Sequence, residues 1–474
     1  MAHTVVLGAG IAGLSTALFL ARRGHPVTVF EREPQDLESG LDDAFFRWKR
    51  PYVPQAVQPH SLLGPVRTVL RTEARDVYDA MLRMEAWEQP ELDWFRDTPV
   101  QDGDDALVLV RARRIVLETA LNTALRGEAN VRIQAKGVSG LAVDTSKNVP
   151  HVRGVRTADG SIVEADLVID AGGRRSAAPK WLVSAGGRPP AVESHRVGIA
   201  YFSRWYRLRP DGADNPGLVR YVSSSPNALS LVFPSDNGIL DIALAVPLTD
   251  PALPALLVPE MFDAVARTFP SSGAWLALDP EGIGGVHVMA GLENRWTSLV
   301  DGEGPVATGV VAIGDSMMHT NPTLSQNIAM ALWAAQRVAQ ECDRPGADPP
   351  GSAAFVVGHH RWAHHTLRPW FDLQVATDRG HVARLTGTAP PNGPGRINAA
   401  RFLCAHEDPV VMRAWAQARH LVRTPEEAFS GEPDRRVARW LAGRPSFEPG
   451  REGPSRARWA ELTSPAAPSL ARHE

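Results

Sequence analysis

Cysteine is nearly missing from these 474 residues: only Cys342 and Cys404 are present, far apart and in no CxxC spacing. That excludes a disulfide framework and a cysteine-rich metal site, and it fits a reducing, cytoplasmic setting. Long apolar runs are lacking too. Stretches such as Leu14 to Ala21 fall well short of the roughly 20 residues that cross a bilayer, so no membrane span is expected. Met1 leads straight into an apolar strand, with no basic segment, apolar stretch and small-residue cleavage site ahead of it, so no secretory address is expected. Charge of one sign is also missing: 50 Lys+Arg against 53 Asp+Glu leave a net −3. Without a basic excess to hold a phosphate backbone, nucleic acid is not an expected partner. His359, His360, His364 and His365 share one helical pattern, but Arg361 replaces the glutamate of an HExxH motif and no third ligand is evident, so no metal is expected.

What is present is an ordinary globular composition, 44 % hydrophobic and 22 % charged, in a chain long enough for about three domain-sized units. Its first thirty residues read as a complete βαβ unit: the β-branched strand Thr4-Val5-Val6-Leu7, the turn Gly8-Ala9-Gly10-Ile11-Ala12-Gly13, a helix to Arg23, and a second strand Val27-Thr28-Val29-Phe30 ending at Glu31. Gly8 permits the tight turn, Gly10 lets backbone approach a pyrophosphate, and Gly13 lets helix and strand pack closely. The amides of Ile11 and Ala12 open the helix toward an anion. Glu31 suits ribose hydroxyls, and Arg32 follows it. A glycine turn alone carries little weight, whereas strand, spacing, helix and terminal acid together indicate a dinucleotide site.

Residues 40–65 are irregular, Pro-rich and basic, from Arg47-Trp48-Lys49-Arg50-Pro51 to His60 and Gly64. Such a length of loop is either a solvated surface or a segment covering cofactor phosphates. Arg113 and Arg114 open a helix, against its dipole, which calls for an anionic ligand nearby or a partner carboxylate such as Glu118. A later strand ends in Asp170-Ala171-Gly172-Gly173-Arg174-Arg175-Ser176, a turn at a carboxyl end where open α/β sheets bind ligands. From Val197 to Leu248 four strands read as an antiparallel sheet. Strand alternation puts Tyr201 and Trp205 on one face and Phe202 and Tyr206 on the other. Tyr201, Trp205 and Tyr221 are candidates for a substrate pocket, with half-buried core as the competing fate of each ring. The α/β pattern resumes with Val310 to Ile313, Gly314-Asp315, and Asn321-Pro322-Thr323 leading into a helix from Ile328.

These segments together resemble the class A flavoprotein monooxygenases, the para-hydroxybenzoate hydroxylase superfamily. The resemblance spans roughly residues 4–345 and rests on Gly8-x-Gly10-x-x-Gly13 with Glu31, the Asp170-Ala-Gly172 turn, and Gly314-Asp315 followed by Asn321-Pro322-Thr323. It implies an α/β fold: a Rossmann-like FAD-binding domain with an inserted antiparallel β-sheet substrate domain and C-terminal helices. By that resemblance Asp315, after Gly314, accepts from a ribityl hydroxyl of FAD. The amides of Asn327, Ile328 and Ala329, past Pro322, face the flavin pyrimidine edge. Arg114 is the early FAD-contacting arginine, with Arg113 as the alternative. Within the superfamily, Val53-Pro54-Gln55, His60, Leu62-Leu63-Gly64 and Asp170-Ala-Gly-Gly-Arg-x-Ser176 look most like actinobacterial natural-product hydroxylases and epoxidases. Two positions depart from the pattern. Ala171-Gly172-Gly173 replaces the usual Gly-Asp-Gly, and Leu324-Ser325-Gln326-Asn327 replaces a glycine-bearing turn, with Asn327 as the residue suited to positive φ.

The domain plan that follows is 1–180 and 301–345 for the two parts of the FAD domain, 181–300 for the substrate sheet, 346–445 for C-terminal helices, and a poorly ordered tail over 446–474. The implied chemistry is NADPH- or NADH-dependent reduction of FAD, reaction with dioxygen to a C4a-hydroperoxide, and hydroxylation or epoxidation of a medium-sized apolar or aromatic small molecule. A flavin-dependent reductase or a non-redox flavin-assisted cyclase shares these fingerprints. A flavin-dependent halogenase does not fit, because no Trp-x-Trp-x-Ile-Pro motif is present.

Overall fold

The computed structural model describes residues 1–464 apart from 34, 36–39, 96, 147 and 391–392. Strand β1 (Thr4–Leu7), helix α1 (Ile11–Arg22) and strand β2 (Val27–Phe30) form the opening βαβ unit. A short helix, α2 (Leu41–Arg47), follows, and α3 (Arg114–Arg126) leads into β3 (Val131–Gln134). Strand β4 (Leu167–Asp170) comes after a three-stranded antiparallel excursion. The chain then builds β5 (Ile199–Arg207), β6 (Val222–Ser224), β7 (Leu229–Pro234), β8 (Ile239–Pro247) and β9 (Glu281–Met289). It returns through β10 (Val310–Ala312) and α4 (Asn327–Asp343), and continues into α5 (Ala353–Thr366) and α6 (Arg368–Leu385).

The first sheet has the order β10-β4-β1-β2-β3, and every pair in it is parallel. Its strands read as continuous apolar runs because both faces are covered, and Val5, Val6, Val29 and Ile169 are fully buried. The second sheet, β6-β7-β8-β5-β9, is antiparallel throughout. This arrangement is the expected Rossmann-like α/β fold with an antiparallel sheet inserted and helices at the C-terminal end. The glycine-rich run at 281–289 forms the edge strand β9.

One of the expectations is corrected at the C-terminus. Residues 446–464 are docked: Glu452 pairs with Arg220 and accepts from the Ser224 amide, and Trp459, on the helix Arg456–Leu462, is buried in the core beneath the second sheet. Apolar burial by Trp459 outweighs the Pro-, Gly- and Arg-rich composition around it. The remainder of that tail, 465–474, lies outside the described residues. No described helix is long and apolar enough to cross a membrane.

Candidate functional site

The three glycines of the first turn sit in three different environments. Gly8 has φ +96°, and a Cβ there would lie 2.7 Å from the Ala171 carbonyl oxygen. A Cβ on Gly13 would lie 2.0 Å from the Gly8 carbonyl oxygen. Both are therefore demanded by the fold itself. Gly10 has room on the protein side, its nearest neighbour being Arg114 Nη2 at 3.8 Å. Absence of a side chain at Gly10 leaves a space that the fold does not use, beside a guanidinium and the start of α1.

The two arginines opening α3 differ completely. Arg113 is fully buried and spent on structure: its guanidinium is bidentate on Asp236 and also bonds Asp42 at 2.7 Å, fastening the α/β domain to the β7–β8 turn. Arg114 faces the glycine loop, with Nε and Nη2 bonded to Glu118 Oε1 at 2.9 and 2.8 Å. The same carboxylate takes Arg50 Nη1 at 2.6 Å. Burial would raise the Glu118 carboxyl, but Arg114 and Arg50 hold it below its ordinary range. The partner carboxylate that this helix start calls for is thus present in Glu118. Two guanidiniums share one carboxylate, and Arg50 Nε is buried with no hydrogen-bond partner among the described residues.

A groove lined by Ala9, Glu31, Trp48, Arg50, Arg126 and Ile133 continues outward past β2. Glu31 Oε2 accepts from the Ala9 amide at 2.7 Å and Oε1 from the Glu33 amide at 2.8 Å, so the carboxylate is fixed at the rim of the glycine loop. Arg50 stacks on the Trp48 ring with Cζ 4.1 Å from its centre. Arg32 lies apart from these contacts, over the ring of Tyr52. The segment 40–65, expected to be irregular, opens with helix α2 and holds a short 3-10 helix at Pro54–Val57; it forms a strap tied down at several points. Phe45 and Phe46 meet Trp205 edge-on, Trp205 Nε1 donates to the Val57 carbonyl at 2.9 Å, and Arg50 closes on Glu118.

After β10, Gly314 has φ +54° and starts the turn that carries Asp315. Asp170 anchors that turn. Its carboxylate, pushed up by burial, accepts from Ser176 Oγ, the Gly172 amide and Ser316 Oγ. Burial works against Asp315 ionisation, but His319, and Arg114 and Arg174 further off, hold its carboxyl below the ordinary range. Gln55 Nε2 comes within 3.5 Å of Asp315. Burial, with Arg114 nearby, pushes His60 down to about 4. At neutral pH it is uncharged, donating Nδ1–H to the Gln58 carbonyl and leaving Nε2 as an acceptor.

The turn from Pro322 to Leu324 survives without glycine, but the residue with positive φ is Ser325, at +57°, and not Asn327. Asn327 is the first residue of α4, and its side chain is paired with Thr320. The first amide of α4 to find a carbonyl is Met330, bonded to Gln326 O. The N–H groups of Asn327, Ile328 and Ala329 therefore open the helix as unspent donors. Around them are buried polar atoms with no hydrogen-bond partner among the described residues: both ring nitrogens of His319, Asn321 Oδ1 and Gln326 Oε1. Buried polar groups are normally satisfied. Orphaned polar atoms at this helix start and the unused space at Gly10 are features that a bound polar group would satisfy and fill.

The aromatic candidates divide. Pairing of β5 with β8 is continuous, so parity holds despite a bulge toward β9 between Ser203 and Trp205. Phe202 and Tyr206 pack into the core beneath the sheet with Phe262 and Phe269. Tyr201 and Trp205 face the α/β side. Trp205 lines no opening; it is 1 % exposed and holds the strap. Tyr201 turns its hydroxyl to Thr323 and Asn321, which with Asn294 and Gln374 surround the buried carboxyl of Asp378 on α6. Tyr221 is not brought to them. It packs against Trp275 under the Arg111 guanidinium, on the opposite side of the sheet. His319 and Asp378 were passed over in the sequence. Arg50 and Asp170 appeared there as members of the basic stretch and of the turn after β4, with no role of their own.

Residues 3–96 match the pattern of the family described as FAD dependent oxidoreductase. Protein Rv3254 of Mycobacterium tuberculosis is 26 % identical over 449 residues, covering 87 % of this chain and 88 % of that one. The structure of p-nitrophenol 4-monooxygenase PnpA from Pseudomonas putida is 16 % identical with a TM-score of 0.60, over 89 % of this chain and 99 % of that one. Flavin-dependent brominase Bmp2 is 15 % identical with the same TM-score of 0.60, over 93 % and 98 %. The fold is therefore that of flavin-dependent oxidoreductases, and two neighbours with different reactions share it, so the fold leaves the reaction open.

Proposed function

We propose that this chain is an FAD-dependent monooxygenase that inserts one oxygen atom of dioxygen into a medium-sized apolar or aromatic small molecule, by hydroxylation or epoxidation, at the expense of NADPH or NADH. The observations that carry the reading are the open space at Gly10 with Arg114 Nη2 3.8 Å from where its Cβ would stand, Gln55 reaching Asp315 at the turn after β10, and the amides opening α4 ahead of the Met330 bond to Gln326. Bound FAD would supply hydride acceptance from the nicotinamide and electron transfer to dioxygen. The balance is substrate, dioxygen, NAD(P)H and a proton in; oxygenated substrate, water and NAD(P)+ out.

The chain's own residues bind and orient. Arg114 and the Gly8–Gly13 turn hold the pyrophosphate, Glu31 the ribose, and Asp315 the ribityl chain. The amides of Asn327, Ile328 and Ala329 favour negative charge on the pyrimidine edge, where a helix N-terminus stabilises it. The strap excludes water from the dinucleotide. The apolar cluster of Tyr201, Leu229, Leu231, Ala245 and Met289 supports an apolar substrate.

Purified protein is expected to be yellow, to release FAD on denaturation and to consume dioxygen when NADPH or NADH is added, with hydrogen peroxide formed where no substrate is present. A yellow protein with no oxygen uptake under either nicotinamide would favour the reductase or cyclase reading; a colourless one rejects the flavin itself. The groove beyond Glu31 adds a sharper expectation. Trp48→Ala should weaken FAD roughly tenfold, since base stacking on an aromatic side chain is worth about 1–3 kcal/mol. Riboflavin, which has no adenine, should bind the variant and the parent equally in a fluorescence titration.

A further inference from the structure

Asp241 takes no part in the site described above. It lies mid-strand on β8, opposite Trp205 of β5 and Phe233 of β7. It is 0 % exposed, and neither carboxyl oxygen has a hydrogen-bond partner among the described residues. The charged groups of the surrounding elements are committed elsewhere. On β5, Arg204 and Tyr206 bond Asp263 on the opposite face, and Arg207 bonds Asp42 of α2. At the β7–β8 turn, Asp236 is closed on Arg113. On the strap, His60 turns to the Gln58 carbonyl, and on β9, His287 stands opposite Ser203. An ionised carboxylate here would face no cation among the described residues, with the Ser203 hydroxyl as its one polar neighbour, a strongly unfavourable state.

The hydroxyl beside Asp241 is that of Ser203, two residues from Trp205 and so on the same face of β5. Ser203 Oγ is buried and donates its single hydrogen to Gln58 Oε1 at 3.2 Å. Its remaining capacity is to accept. A carboxylate would meet lone pairs at that oxygen, whereas a carboxylic acid would complete the chain. We propose that Asp241 is a protonated carboxylic acid that donates to Ser203, and that the relay Asp241 to Ser203 to Gln58 fixes the strap on the sheet. Burial drives its titration well upward, over the smaller opposing effect of the Ser203 hydroxyl. Gln58 is where the strap is pinned: its carbonyl takes the His60 proton at 2.8 Å, and its amide donates to Gln55 O at 3.1 Å. Gln55 in turn reaches Asp315. Asp241 is thus a positioning residue for the part of the strap that reaches Asp315. It rests on the proposed function only for the identity of the groove's ligand.

The test compares Asp241→Asn, Asp241→Ala and Ser203→Ala in the full-length protein. An infrared difference spectrum of the parent against Asp241→Asn at neutral pH should show the carbonyl band of a protonated carboxylic acid in the parent; a carboxylate band instead overturns the proposal. Asn keeps an N–H donor toward Ser203, so tryptic cleavage at the exposed Arg47 and Lys49 should stay at the parental rate in that variant. In Asp241→Ala and Ser203→Ala it should rise about fivefold, the effect of one lost hydrogen bond. Should Asp241→Ala not fold, Ser203→Ala and Asp241→Asn carry the comparison. Asp241→Asn cleaved as fast as the Ala variants, or Ser203→Ala cleaved at the parental rate, overturns the relay. An acid band in a colourless protein rejects the flavin reading and supports this one; a carboxylate band in a yellow protein does the reverse.

Discussion

Gly10→Val is expected to yield a folded protein with no FAD. A Cβ at Gly10 meets nothing closer than Arg114 Nη2 at 3.8 Å, so the branched side chain enters open space rather than the core, and the melting temperature should stay within a few degrees of the parent. That space is where the proposed pyrophosphate passes, with its charge against the α1 amides and Arg114. Filling it removes the closest backbone approach in the whole dinucleotide site, and the expected loss is complete at micromolar FAD in a flavin fluorescence titration. Gly13→Ala is the contrasting case. Its Cβ would fall 2.0 Å from the Gly8 carbonyl oxygen, a distance no rotamer relieves, so α1 must move off β1 and the domain is expected to unfold. A Gly10→Val protein that still turns yellow would reduce the first turn to a structural motif and remove the main support for the flavin reading.

That contrast also shows why part of the site was legible in the sequence. The βαβ unit is local: strand, glycines, helix and Glu31 fall within about thirty residues and follow a fixed spacing, although the Ala171 carbonyl that Gly8 must clear and the Arg114 beside Gly10 come from further along the chain. The choice between Arg113 and Arg114 was not legible, because it depends on Asp236, brought from the β7–β8 turn. Ser325 took the left-handed position assigned to Asn327 because the turn's end is set by where α4 docks, not by the better residue for positive φ. Alternation on β5 correctly separated Tyr201 and Trp205 from Phe202 and Tyr206, since period two is a property of one strand. It did not place Tyr221, which lies just before β6 and packs under the sheet with Trp275. Asp241 and Asp378 were invisible for the same reason: a buried carboxyl is recognised by what surrounds it, and those surroundings come from four or more separate segments.

Asp315→Ala is expected to weaken FAD tenfold to a hundredfold without unfolding the chain. The Asp315 carboxylate closes no ion pair that the fold depends on. His319 Nδ1 stands 3.4 Å away without hydrogen-bond geometry, and Gln55 is at 3.5 Å. The turn that carries it is held instead by Asp170 through Ser316. What is lost on the proposed reading is the bond from a ribityl hydroxyl to an ionised acceptor, worth about 1.5–3 kcal/mol, or roughly one to two orders of magnitude in affinity. The pH dependence gives a second reading of the same group. Its titration in the folded chain lies below the ordinary carboxylate value, so the ionised form and its contribution persist above that value and are lost as pH falls through the depressed one. Parental FAD affinity should hold from neutral pH down into the carboxylate range and then drop in acid. Asp315→Asn, an uncharged amide of the same shape, should start about tenfold weaker and lack the part of that drop that belongs to this carboxylate. An Asp315→Asn protein that binds FAD like the parent at neutral pH would show that the ribityl chain runs elsewhere, leaving Asp315 as a partner of His319 alone.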